Sequence, residues 1–185
     1  DFLYSDIEIR TMLKDIEIAR RLGADGVVFG CLTADGEVDL TSMQILMEAS
    51  KGLSVTFHRA FDVCRNPQKA LEEIIELGCN RILTSGQQPT AEQGIGLLKE
   101  LQGLAAGRIT LLADCGVNEN NIARIAAETG INEFHFSARE SIQSEMKFRN
   151  EVVSMGGTVH INEYERNVTS VRRVKETVEA LYKGM

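Results

Sequence analysis

The chain has no tryptophan, two prolines, three histidines and only 5% aromatic residues. Proline is too scarce to set the helix ends, so other residues must do it. No apolar stretch approaches the roughly 20 residues of a membrane-spanning helix. The first residues, Asp1-Phe-Leu-Tyr-Ser-Asp6, have neither the basic nor the apolar region of a secretory leader. Together these absences give the cytosol as the expected compartment. Basic residues are also short: the formal charge is -7 and the isoelectric point near 5.1. Such a surface disfavours nucleic-acid backbones, which are bound by lysine and arginine stripes that release counterions. Four cysteines are present, Cys31, Cys64, Cys79 and Cys115, but no Cys-x-x-Cys and no Met-x-Met. In a chain of 185 residues, long enough for its own core, spread-out cysteines read as reduced thiols rather than a disulfide framework.

A repeat fills the space left by these absences. Five times an amphipathic stretch is followed by a glycine, a few small or polar residues and a short apolar run. The passages are Arg21-Leu-Gly-Ala-Asp-Gly-Val-Val-Phe, Lys51-Gly-Leu-Ser-Val-Thr-Phe, Leu77-Gly-Cys-Asn-Arg-Ile-Leu, Ala106-Gly-Arg-Ile-Thr-Leu-Leu and Thr129-Gly-Ile-Asn-Glu-Phe-His-Phe. Each glycine is expected to stop its helix, because it takes the left-handed backbone beyond a helix end without a Cβ clash. Ser5, Asp39, Asn66 with Pro67, Thr90 and Asn118 are the expected helix starts. Between them, Ile7, Met12, Leu13, Ile16 and Ala19 form one core face, and Ala70, Leu71, Ile74, Ile75 and Leu77 another.

Strands expected near Val27, Val55, Ile82, Ile109 and Phe134 are spaced by 28, 27, 27 and 25 residues, the length of one strand-helix unit. Alternating strands and helices imply a parallel sheet with right-handed crossovers. Even spacing favours a (β/α) barrel over a doubly wound sheet, yet eight units need more residues than these. The expected fold is therefore α/β, a single domain over 1–185, an incomplete TIM-type barrel of about five parallel strands. Residues 140–162, including Met155-Gly156-Gly157, break the repeat and read as an excursion. A last helix from Thr169 should turn Val171, Val174, Val178 and Leu181 onto the sheet.

Ligands of parallel α/β sheets bind beyond the carboxyl ends of the strands. There the sequence puts Gly30-Cys31, His58-Arg59-Ala-Phe-Asp62, Thr84-Ser85-Gly86, Asp114-Cys115-Gly116 and His135-Phe-Ser137-Ala-Arg139. Strand alternation sends His58 and Arg59 to opposite faces, and an inward Arg59 needs a partner such as Asp62, Asp114 or an anion. His135, facing His58 across the mouth, would make an acid and base pair or hold a metal. Ser85, Gly86 and Ser137 are of a type to hold a phosphate, though they are equally ordinary turn formers. Cys31, Cys64 and Cys115 all fall on the ligand side, and soft thiolates suit cuprous copper. Cys79 falls on the far side, and Met43 and Met47 read as core packing.

The passages Asp1-Phe-Leu-Tyr-Ser-Asp, Gly23-Ala-Asp-Gly-Val-Val-Phe-Gly, Val55-Thr-Phe-His-Arg-Ala-Phe-Asp, Arg81-Ile-Leu-Thr-Ser-Gly and Glu133-Phe-His-Phe-Ser-Ala-Arg closely resemble, in order and spacing, motifs of the CutC copper-homeostasis family. The stretch Met146 to Asn150 looks similar to animal members. The resemblance implies a TIM-type barrel whose first three strands, with an Arg-Pro-Arg-Gly-Gly motif and the family's suggested early copper ligands, precede Asp1. It also implies a copper-handling protein of the cytoplasm, and in animals of the nucleus. Two positions depart from the family pattern. A Pro-Gly-Gly-Gly run is replaced by Ala113-Asp-Cys-Gly116, where Asp114 repels anions, and Cys31 stands where a small apolar residue is usual.

The expected function is copper homeostasis through copper bound in the cytosol. The alternatives are a barrel enzyme acting on a small anionic or carbohydrate-like substrate, and an inactive truncated form. The expected partners are a copper ion or small-molecule ligand, with neither nucleic acid nor membrane, and copies of the chain associating through unpaired strand edges.

Overall fold

The computed structural model describes residues 1–150, 152–156, 158, 159 and 161–184. Six helices, α1 Asp6–Arg21, α2 Leu40–Ala49, α3 Pro67–Glu76, α4 Ile95–Ala105, α5 Ile122–Thr129 and α6 Val171–Gly184, accompany seven strands. These are β1 Gly26–Phe29, β2 Ser54–Phe57, β3 Arg81–Thr84, β4 Thr110–Ala113, β5 Glu133–Phe134, β6 Arg139–Gln143 and β7 Glu165–Thr169. Strands β1 to β5 pair in chain order, all parallel, as one open five-stranded sheet whose edges are β1 and β5. Right-handed crossovers between sequential neighbours put the helices on one face, so the sheet is an arc of a barrel that does not close.

The five repeat glycines, Gly23, Gly52, Gly78, Gly107 and Gly130, all have φ between +75° and +86°. Each lets the chain reverse from helix to strand within residues 22–25, 50–53, 77–80, 106–109 and 130–132. The helix starts are set by side chains at three of the five expected positions. Ser5 N–H donates to Glu8 Oε2 at 2.7 Å, Asp39 accepts from Ser42 N at 3.1 Å and Asn66 from Lys69 N at 3.0 Å. Thr90 and Asn118 instead start isolated turns, and α4 and α5 begin a turn later, behind Gly94 and Asn121. A residue that accepts from N–H groups ahead of it serves a turn as well as a helix.

Alternation sorts the sheet residues. Val55, Phe57, Ile82, Leu111 and Ala113 are buried against the helices, each large side chain stabilising the core by roughly 1.5–3 kcal/mol. The opposite, concave face carries Val28, Ser54, Thr56, Arg81, Leu83, Thr110 and Leu112, none of them buried. Across it Arg81 Nε donates to Glu133 Oε2 at 2.6 Å and Arg81 Nη1 to Ser54 Oγ at 3.2 Å.

Three details differ from the sequence reading. Ile7 is exposed and Ile9 takes its place on the inner face of α1. The last helix is preceded by Ser170 rather than Thr169, and it packs beside α5 with Thr177 buried, while Val171 and Val178 face outward. The excursion opens as an antiparallel hairpin in which β6 pairs with β7, and Gly157 lies outside the described residues. No helix among the described residues is long and apolar enough to cross a membrane.

Candidate functional site

The carboxyl end of the sheet is organised by one carboxylate. Beyond β2 the chain tightens into a 3-10 turn, Arg59–Val63, which swings Asp62 under the end of β3. Only 5% of the Asp62 side chain is exposed. It accepts from Arg59 Nε at 2.7 Å, Thr84 Oγ1 at 2.6 Å, Ser85 N at 3.0 Å and Gln87 N at 3.1 Å. Ser85 Oγ lies 3.1 Å from the same carboxylate and 2.5 Å from the Gln88 carbonyl. A buried carboxylate with this many donors is a satisfied anion, and its charge fixes Arg59 in place. Burial works against the Arg59 charge, but Asp62 outweighs it, helped by Cys115 and Asp114, and holds the guanidinium above its ordinary value.

Ser85 and Gly86 are therefore committed to the scaffold. Ser85 N–H goes to Asp62, and Gly86 N–H donates to Thr84 Oγ1 at 2.9 Å, which leaves neither of these N–H groups for a phosphate. Gly86 also has φ +70°, and a Cβ on it would meet the Gly94 carbonyl oxygen at 2.6 Å.

The two rim histidines occupy different ends of the sheet. The His58 ring packs at 4.7 Å on Phe2 and against Phe57, and its Nδ1 accepts from Ala60 N at 3.2 Å. Burial lowers its pKa from the ordinary 6.5. His135, three strands further on, is 62% exposed and its Nδ1 lies 2.9 Å from Asp114 Oδ1. A carboxylate at hydrogen-bond distance from one ring nitrogen is an arrangement that holds a histidine side chain in place for acid and base chemistry. Asp114 also stands 3.6 Å from Cys115 Sγ. A cavity of about 400 Å³ joins Asp114, Cys115, Asn118, His135, Ser137, Arg139 and Arg173. Arg173 is tied to Glu119 at 3.0 Å, whereas the Arg139 guanidinium makes no ion pair among the described residues.

The structure thus brings Arg59, Asp62 and Ser85 into one network and His135, Ser137, Arg139 and Cys115 into the adjoining cavity. It does not gather the three ligand-side thiols. Cys31 is buried behind β1 and Cys64 behind the 3-10 turn, and burial first, then Asp39, pushes Cys31 up to about 12. Cys64 is pushed to about 11, again chiefly by burial. Cys115 is half-buried and raised by burial and Asp114, with Arg59 opposing. Among the described residues no group of three or more His, Cys, Asp or Glu could hold a metal ion. Sequence reasoning did not find the Asp114–His135 pair, the donors Thr84 and Gln87, or Arg173. Asp114 was read as repelling anions, and nothing in the spacing announced that its first partner is an imidazole.

The CutC family model matches residues 1–140. A CutC family protein of Bacteroides thetaiotaomicron is 77% identical over 181 residues, 98% of this chain and 73% of the relative. One of Porphyromonas gingivalis is 48% identical over the same shares. These relatives are bacterial, and they give no support to the likeness of Met146–Asn150 to animal members. The crystal structure of CutC from Streptococcus agalactiae, a protein named for copper homeostasis, superposes with a TM-score of 0.71 at 34% identity, over 73% of this chain and 66% of that one.

Proposed function

The chain belongs to the CutC family, named for copper homeostasis, and on that premise we propose that the carboxyl rim is its working site, where a small anionic ligand is bound and a proton moved. The observation that carries this reading is the 2.9 Å contact between His135 Nδ1 and Asp114, on a side chain that is 62% exposed. Arg59, locked by Asp62, and Arg139, which makes no ion pair among the described residues, supply positive charge at the same rim. A ligand carboxylate or phosphate held by guanidinium groups would set its neighbouring atoms against His135 Nε2. Asp114 fixes the tautomer and stabilises the imidazolium once the proton has moved. The substrate class is a small anionic molecule handled in the cytosol.

Nuclear magnetic resonance tests it directly. Malonate and inorganic phosphate are titrated into the chain while the His135 ring signals are followed. Saturable shifts are expected, lost in Arg59→Met and retained with an altered pH profile in Asp114→Asn. Shifts that persist in Arg59→Met and Arg139→Met would overturn the reading.

A second reading, that the chain itself carries copper in the cytosol, rests on one observation: Cys115, the least buried of the four thiols, lines the same cavity as His135. A soft thiol beside an imidazole is chemistry that cuprous copper takes. Anaerobic uptake of cuprous ion that disappears in Cys115→Ser would support it.

A further inference from the structure

The loops after β4 and β5 differ from the loop after β3 in the use of their main-chain amides. Ser85 and Gly86 give their N–H groups to Asp62 and Thr84. Among the described residues, the N–H groups of Gly116, Val117, Phe136 and Ser137 and the Ser137 hydroxyl donate to no protein acceptor. Val117 is nevertheless buried, where an amide without a partner is rare. The first of these loops is held from behind. The Cys115 carbonyl accepts from Ala91 N at 2.9 Å, and the Gly116 carbonyl accepts from Asn118 Nδ2 at 2.7 Å and Asn121 Nδ2 at 2.9 Å. In a trans peptide the N–H points opposite to the C=O, so the Gly116 and Val117 N–H groups are turned away from those partners. Cys115 and Gly116 have φ of +70° and +74°, and Ala138 in the second loop has φ +45°. Turns of this kind set successive N–H groups into a concave cradle for an anion. Gly116, Val117, Phe136 and Ser137 all line the cavity of about 400 Å³ that also holds His135 and Arg139.

We infer that this cavity takes a small phosphate monoester, its phosphate on the amides of Gly116, Val117, Phe136 and Ser137 beside Arg139 and its organic part against His135. The inference rests on the reading of the rim as an anion site and names the class of the anion. A carboxylate is planar, and its two oxygens match the fork of a guanidinium. In this cavity that fork is already taken: Arg173 Nε and Nη2 each lie 3.0 Å from a Glu119 oxygen, and Nη1 donates to the Arg139 carbonyl. What remains is a set of single donors from two loops, with the Ser137 hydroxyl and the Arg139 guanidinium. Three phosphate oxygens, spread in different directions, can accept from such a set.

Charge and space agree with this class. Arg139 makes no ion pair among the described residues, and Asp114, the one carboxylate in the wall, is engaged by His135 at 2.9 Å and lies in the field of Arg59. A cavity of this size is in the range of small-molecule sites and has room for more than the phosphate alone. A larger cavity, about 550 Å³, lies at the amino ends of β2 and β3, but its walls carry two carboxylates, Glu48 and Glu76, against one ammonium, Lys51. An anion is drawn to the rim and not to that pole.

The test is a titration of the 185-residue chain with glycerol 3-phosphate, inorganic phosphate and malonate in turn, followed by its amide and His135 ring signals in nuclear magnetic resonance. Glycerol 3-phosphate should shift the Gly116, Val117, Phe136 and Ser137 amides saturably, with the His135 ring following, and should bind at least about tenfold tighter than malonate. Arg139→Met, at unchanged circular dichroism, should weaken glycerol 3-phosphate by at least about tenfold, the loss of one charged hydrogen bond. Should that variant not fold, the amide shifts of the unaltered chain decide. Amides of the two loops that stay still while the ester binds, or binding untouched by Arg139→Met, overturn the site. Malonate that binds as tightly as the ester overturns the phosphate class while the anion reading stands. Inorganic phosphate that binds as tightly leaves the free ion as the ligand and overturns the ester, and no saturable shift with any of the three overturns both readings.

Discussion

The two ends of one sheet are built on opposite electrostatic terms. At the carboxyl rim a buried carboxylate, Asp62, draws donors from the 3-10 turn, β3 and the loop after it into one fixed network. At the amino pole short glycine turns leave a wider space walled by sulfur, aliphatic groups and lightly paired carboxylates. A group fixed by several charged hydrogen bonds is pre-organised to orient a ligand, whereas a thioether on rotatable bonds is adaptable. The rim is thus the more rigid of the two ends and the amino pole the more open.

That contrast can be broken most forcefully at Asp62. In Asp62→Ala, Arg59 loses its counter-charge and the Ser85 and Gln87 N–H groups lose their acceptor. Stability should drop by about 3 kcal/mol, measured by urea denaturation. A loss below about 1 kcal/mol would mean that the network is a surface convenience. At the amino pole, Met47→Leu exchanges side chains of similar volume and should cost less than about 1.5 kcal/mol in the same assay. The smallest expected effect is a slope. His58 has its folded pKa lowered by burial, so below pH 6.5 the unfolded chain takes up a proton that the folded ring refuses. Stability should therefore be fully present above 6.5, the unfolded value, and decline as pH falls toward the folded one. His58→Gln keeps an acceptor for Ala60 N–H and should flatten that part of the stability-against-pH curve. A slope that survives the substitution places the titrating group elsewhere.

The fold was far more legible than the site. Gly23, Gly52, Gly78, Gly107 and Gly130 could be read directly because a left-handed residue at a helix end has one common chemical solution, repeated at a steady period. Thr90 and Asn118 misled by one turn because a side-chain oxygen caps a turn and a helix alike. Val171 and Val178 misled because α6 lies on a helix, α5, rather than on the sheet that periodicity alone suggested. The Arg59–Asp62 pair, three residues apart, was legible, while the rest of the rim network escaped because its partners come from different units: Asp62 with Thr84, Asp114 with His135, Arg173 with Glu119. The 3.7 Å contact of Cys79 Sγ with Met47 Sδ escaped for the same reason, as each residue alone reads as ordinary core. Local propensity sets elements, while pairings between units depend on how those elements settle against one another.

The glycine turns have one further consequence. Four of the five helix-to-strand joints, residues 22–25, 50–53, 77–80 and 106–109, have the same length, so an added residue in any of them would rotate the next strand by half a pleat and send its core side chains to the wrong face. The connections on the other side, residues 30–39, 58–66, 85–94 and 114–121, are about twice as long and need only return to the next helix. Spare length in this molecule is therefore concentrated at one end. That length is taken up by the rim groups, Asp62, Gln87 and Asp114 among them, while the short joints hold every stave in phase.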